Sequence, residues 1–245
     1  MTPGVVTYPA THPATSMFTD SPSEAADPVR LADEATLVDA SSRAEFDVVV
    51  VATSLGGRDA LEQLLAPLPA DFAAPILVVQ HLDARAHSHL PELLARRTLL
   101  SVRHAGSGEP LRASTVYVAL PGHHLTVGAD RRCILSDGPP VGYSRPAADP
   151  LFVSAAAVFG ARTLGVILTG RLRDGAAGAE AIQRAAGVVL AQAPSTCRAA
   201  AMPQAAIERG VVDLVLPLAS LGDAVLALVT IPGARASYGI GARAA

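Results

Sequence analysis

Three residues far apart in the chain form a chemically complete set. Ser54 sits in "VVVVATSLGG", His81 in "PILVVQHL" and Asp174 in "GVILTGRLRDG". A serine hydroxyl is a weak nucleophile until a neighbouring base takes its proton. A histidine can be that base, and a buried carboxylate can orient the ring and steady the imidazolium. Together the three perform acyl transfer through a covalent serine ester. Each follows an apolar run, so the set is brought together only if those runs are neighbouring strands that end on one edge.

Each residue also has a plainer reading. "ATSLG" is an A-x-S-x-G form of the nucleophile elbow, a tight strand-to-helix turn that exposes its serine, with Gly56 and Gly57 relieving crowding. The same turn could serve only to pack a helix start against a strand. A phosphate cradle is disfavoured, because neither G-x-G-x-x-G nor G-x-x-x-x-G-K-[ST] occurs. His81 could cap a buried strand, and Asp174 could be the N-cap of the helix opened by "DGAAGAEAIQ". His87, His89, His123 and His124 raise a metal site, but no H-E-x-x-H or carboxylate set accompanies them. Neither metal nor cofactor is expected.

The elements that must position these groups follow from periodicity. Asp47–Ala52 and Pro75–Gln80 are short and almost wholly apolar, as strands buried on both faces are. Between them Ala60, Leu61, Leu64 and Leu65 keep helical spacing until "PLP". Leu90–Leu100 reads as helix, Val116–Leu120 as strand, and Leu125–Val127 with Cys133–Leu135 as a hairpin over "GADRR". Then come helix Leu151–Phe159, strand Thr163–Thr169, helix Ala176–Ala186, strand Gly187–Ala191, helix Pro203–Glu208, a strand-like "VVDLVLP" and helix Leu218–Val229. This alternation predicts an α/β fold: a doubly wound, mainly parallel sheet flanked by helices. Catalytic groups in such sheets gather at the C-terminal strand edge.

The expected domain spans residues 46–230. Residues 1–45, rich in Pro, Ser, Thr, Ala and Asp, read as a disordered tail with a short helix around Leu31–Leu37. Residues 231–245, rich in Gly, Ala and Arg, read as a flexible tail. A net charge of −3 without a long basic run argues against nucleic-acid binding. Cys133 and Cys197 stand apart with no C-x-x-C, which disfavours a disulfide framework and fits a reducing cytoplasm. There is no secretory signal and no clean membrane span, so no direct membrane insertion is expected.

The chain from about Val48 to Val229 resembles the catalytic domain of the chemotaxis protein-glutamate methylesterases, the CheB family. The resemblance rests on "ATSLGG", "VVQHL", "GEPLRASTVYVALPGHHL", "RPAADPLFVSAA", "GVILTGRLRDGAAG" and "AMPQAAIERG", in the family's order and at similar spacing. It implies that Ser54, His81 and Asp174 are the catalytic triad, and that the fold includes an antiparallel hairpin. It implies hydrolysis of glutamate γ-methyl esters, and deamidation of glutamine, on the helical bundle of a methylated chemoreceptor. Leu55, the residue after the nucleophile, is the usual oxyanion donor of an elbow, and the resemblance makes the Arg171 amide the second.

Where the family usually has Gly, Thr and "TGMGxDG", this chain has Ala52, Leu55 and "TGRLRDG". Leu172 therefore occupies a glycine position, where a backbone angle that leucine dislikes is expected. Arg171 and Arg173 add positive charge beside the site, with Arg173 expected at the substrate surface. The family's N-terminal receiver domain has no counterpart in the 45 residues before the first strand. Constitutive activity, control by a separate receiver protein or kinase, or a role in a pathway other than chemotaxis is the resulting expectation. The alternatives are a regulatory binding module with little turnover and a serine hydrolase retargeted to another ester.

Overall fold

The computed structural model describes residues 45–82 and 88–241. The N-terminal tail, with its expected short helix, and His87 lie outside these residues. β1 (Val48–Thr53) has all six residues buried, and their alternation divides them between two cores. Val49 and Val51 face one side of the sheet, and Val48, Val50 and Ala52 the other. That is how a continuous valine run becomes a central strand.

Around β1 stand β2 (Ile76–Gln80), β3 (Ser101–His104), β4 (Thr115–Val118), β7 (Thr163–Ile167), β8 (Val188–Gln192) and β9 (Leu214–Leu216). They form a seven-stranded sheet in the order β3-β4-β2-β1-β7-β8-β9, parallel throughout. The chain first builds outward through β2 and β4, then returns to the other side of β1 with β7. The sheet therefore changes winding direction between β1 and β7, the place where open α/β sheets bind ligands. β5 (His124–Val127) and β6 (Cys133–Ser136) make the separate antiparallel hairpin.

On one face α1 (Gly57–Leu65) and α6 (Leu218–Thr230) pack on Val49, Val51, Ile76, Val78, Leu164 and Val166. On the other, α3 (Ala148–Phe159), α4 (Ala176–Arg184) and α5 (Ala201–Glu208) cover Val50, Leu77, Val79, Ile167 and Val189. The expected doubly wound α/β architecture with a hairpin is thus observed.

Three local readings differ. The helix expected over Leu90–Leu100 is only α2 (Leu90–Ala95). The Arg97 N–H closes a tight turn on Leu94 O, and the Thr98 hydroxyl donates to Leu65 O and accepts the Leu100 N–H. The chain then enters β3, an edge strand with no apolar run to announce it. α3 starts at Ala148 rather than Leu151, for a reason that lies in the site. Past Ile231 the segment read as loose forms α7 (Ala234–Ser237), and Ala234 and Ile240 join the core beneath α6.

Candidate active site

The turn after β1 is held by bonds from the ends of β2 and β7. The Ser54 N–H donates to Thr169 O at 3.0 Å, which ties the elbow to the end of β7. The Gln80 amide nitrogen donates to Ser54 O at 2.7 Å and to His81 O at 3.2 Å, bracing both residues from below. The Thr169 hydroxyl donates to Leu55 O at 3.0 Å and accepts the Ala199 N–H at 2.9 Å. Gly56 then enters α1 at φ 84°, a left-handed angle that glycine takes without a Cβ penalty. A Cβ there would also stand 2.7 Å from Arg198 Cβ. The turn is built by its hydrogen bonds, and glycine is the residue that fits it.

β1 and β2 run in register with Thr53 opposite Gln80, and the His81 N–H donates to Thr53 O at 3.0 Å. Ser54 and His81 thus occupy adjoining strand ends. The His81 ring donates Nε2–H to Asp174 Oδ2 at 2.6 Å, with both side chains nearly enclosed. An ionised carboxylate can only accept, so Nε2 carries the shared proton. Among the described residues the buried Nδ1 has no hydrogen-bond partner.

Asp174 does cap a helix, but not the one that follows it. Its Oδ2 accepts the Ala148 N–H at 2.6 Å and its Oδ1 the Asp149 N–H at 3.0 Å, which starts α3 three residues early. Asp149 returns the arrangement: its Oδ1 accepts the N–H groups of Gly175 at 3.0 Å and Gly178 at 2.7 Å, at the start of α4. Each aspartate caps the other's helix, and the helix dipoles favour negative charge at both places. Burial alone would raise the Asp174 carboxyl. The bonds from His81, Ala148 and Asp149, with the imidazole charge, outweigh it and hold the group below the ordinary carboxylate range. Burial pushes Asp149 up; the Gly178 amide opposes this and the Asp174 charge adds to it.

A cleft of about 630 Å³ opens over this edge, lined by Ser54, Leu55, His81, His89, Arg171 and Arg198 among others. Among the described residues neither the Leu55 nor the Arg171 N–H donates to a protein acceptor. Leu172 takes φ 68°, the left-handed angle expected of a glycine position, with its side chain half exposed. Arg173 turns away from the cleft. It pairs with Glu208 at 3.0 Å and lines a separate groove.

The remaining cysteines and histidines of the described residues have structural surroundings. Burial pushes the Cys197 thiol up to about 11, against a smaller opposing effect of Thr169, and the Cys133 thiol up to about 12. Neither has thiolate character near neutral pH. His124 accepts the Ala147 N–H at Nδ1 and donates Nε2–H to Pro139 O, tying the hairpin to α3. Among the described residues no group of His, Cys, Asp or Glu could hold a metal, and no helix is long and apolar enough to cross a membrane.

The sequence reading of Ser54, His81 and Asp174 at one strand edge agrees with this geometry. It missed Gln80 and Thr169, which hold the elbow, Asp149, which caps the Asp174 loop, and Arg198, which enters the cleft from a distant loop. Their local patterns carry no signal, because each acts on residues far along the chain.

The CheB methylesterase family profile matches residues 49–225. The chain is 47% identical over 175 residues to protein-glutamate methylesterase/protein-glutamine glutaminase 2 of Anaeromyxobacter dehalogenans, covering 71% of this chain and 51% of that protein. It is 39% identical over 201 residues to the protein of the same designation from Caulobacter vibrioides, covering 80% and 58%. The chain thus spans about half the length of these relatives. The crystal structure of the Thermotoga maritima CheB methylesterase catalytic domain superposes with a TM-score of 0.73 at 33% identity, covering 75% of this chain and 99% of that one. With the parallel sheet, the hairpin and the Ser–His–Asp edge in place, the chain belongs to the CheB methylesterase family.

Proposed function

We propose that the protein hydrolyses glutamate γ-methyl esters, and deamidates glutamine, in the methylated helical bundle of a chemoreceptor, using Ser54, His81 and Asp174. The observation that carries the reading is the enclosed 2.6 Å bond from His81 to Asp174, which leaves the other ring nitrogen unpartnered beside the strand end that bears Ser54. Nδ1 takes the Ser54 proton as Oγ attacks the ester carbonyl, and Asp174 steadies the imidazolium. The N–H groups of Leu55 and Arg171 receive the oxyanion; such donors contribute about 3 kcal/mol each. Collapse breaks the C–O bond, and the imidazolium returns its proton to the departing methoxide as methanol. Water, deprotonated by His81, then attacks the glutamyl-serine ester, freeing glutamate and restoring Ser54. With a glutamine substrate the leaving group is ammonia.

The reading places the protein in the cytoplasm, where the free thiols of Cys133 and Cys197 are at home. The test is methanol release from a receptor methylated with labelled methyl groups. Wild type releases label and Ser54→Ala does not; equal release by both would refute the serine mechanism.

A further inference from the structure

We propose that Arg171 and Arg198 form a carboxylate-binding pair that makes this hydrolase select acidic protein segments, in which an Asp or Glu lies within reach of the scissile ester. This deepens the methylesterase reading and rests on it.

The two arginines come from distant parts of the chain and flank the same serine. Arg171 follows Gly170, where an added Cβ would stand 2.8 Å from Ser54 Cβ. Arg198 lays its stem over the elbow, with its Cβ and Cδ at 2.7 and 3.2 Å from the position of a Gly56 Cβ. Both side chains are exposed and both line the cleft that holds Ser54 and His81.

Among the described residues the charge of the cleft is not balanced from within. Arg58 and Asp59 at its rim pair with each other at 3.1 Å, and Arg58 reaches Glu62 as well. Arg173 is paired with Glu208 on the other side of its loop. Among the described residues, Arg171 and Arg198 have neither a carboxylate within ion-pair distance nor a side-chain hydrogen bond. Two uncompensated guanidiniums therefore border the nucleophile in a chain whose net charge is −3. Concentrated positive charge over a cleft draws in negatively charged ligands. The planar guanidinium fork suits carboxylates, which it grips with two parallel hydrogen bonds. An arginine tethered over the elbow loses less freedom on binding than one on an open surface.

The experiment compares two helical peptides, each with one glutamate γ-methyl ester. One carries Glu a helical turn to either side of the ester, the other Asn. For the wild-type chain the ratio of kcat/KM, acidic over neutral, should be about fivefold, the scale of a few exposed charge pairs. It should fall towards one at about 1 M salt. Arg198→Lys should retain part of the preference, Arg171→Gln should reduce it, and Arg198→Glu should invert it. A wild-type ratio of one, or a preference that survives in Arg198→Glu, would overturn the proposal while methanol release upholds the esterase reading. A second measurement uses Ser54→Ala and the unesterified peptides, read by fluorescence anisotropy. Tighter binding of the acidic peptide that is lost in Ser54→Ala/Arg198→Glu, without methanol release by wild type, would uphold the arginine pair and refute the esterase reading.

Discussion

The elbow after β1 and the loop after β7 both deliver a member of the proposed triad to the same edge, yet they are built on opposite terms. The elbow is relaxed: its left-handed residue is Gly56, and its backbone is held by Gln80, Thr169 and the strands themselves. The loop is strained: its left-handed residue is Leu172, at a cost of roughly 1–2 kcal/mol. Bonds at both ends hold it in place. Gly170 exchanges bonds with Ala199 and Met202, and Asp174 is locked by His81 and the start of α3. Ser54 is thus positioned by the sheet and Asp174 by helix termini. Damage to the elbow should harm folding and chemistry together, whereas damage to the loop should harm chemistry more than folding.

The largest effect expected in the loop is that of Asp174→Asn. The ring then loses its fixed tautomer, and kcat should fall about 10⁴-fold with the fold retained. The variant also probes stability against pH. The folded carboxyl is held below its ordinary value, so it stabilises the wild type above about pH 4. That contribution disappears as pH falls through the lower folded value. Acid titration of both proteins should show a stability gap at neutral pH that closes under acid; a constant gap would contradict the assigned direction.

At the elbow, Gly56→Ala forces a Cβ into the left-handed angle and against Arg198. Denaturant unfolding should register a loss of about 1–3 kcal/mol, with activity falling in parallel. Asp149→Ala sharpens the contrast from the loop side. Losing a helix cap costs about 1–2 kcal/mol, and misplacing Asp174 should lower kcat about tenfold to a hundredfold. A loss of stability without loss of kcat would separate the cap from the catalytic carboxylate. The smallest effect is a gain. Leu172→Gly relieves the left-handed leucine but adds chain entropy when unfolded, for a net stabilisation of about 0.5–1 kcal/mol, visible as a raised Tm. No gain would mean that the loop is not strained.

The contrast also explains what was legible before the structure. β1, β2 and β7 are buried on both faces, so hydrophobicity alone reveals them, and the groups at their ends follow. Leu172 was flagged by its place in a glycine position, and its angle of 68° bears that out. β3 escaped notice because an edge strand needs few apolar residues. The exchange of caps between Asp149 and Asp174 joins residues 25 to 29 positions apart, and Thr169 recruits the Arg198 loop across 30. Such pairings arise from tertiary packing, which local periodicity does not encode. The C-terminal segment shows the same limit: its composition reads as loose, but Ala234 and Ile240 find a place under α6.

In the proposed reaction Ser54 carries the acyl group. Rapid quenching of the protein with a γ-methyl glutamyl peptide, followed by mass spectrometry of the digested chain, tests it most directly. A transient adduct is expected on the fragment containing Ser54, with the mass of the peptide less methanol, absent in Ser54→Ala. Methanol release with no adduct, or with the adduct on another residue, would contradict it.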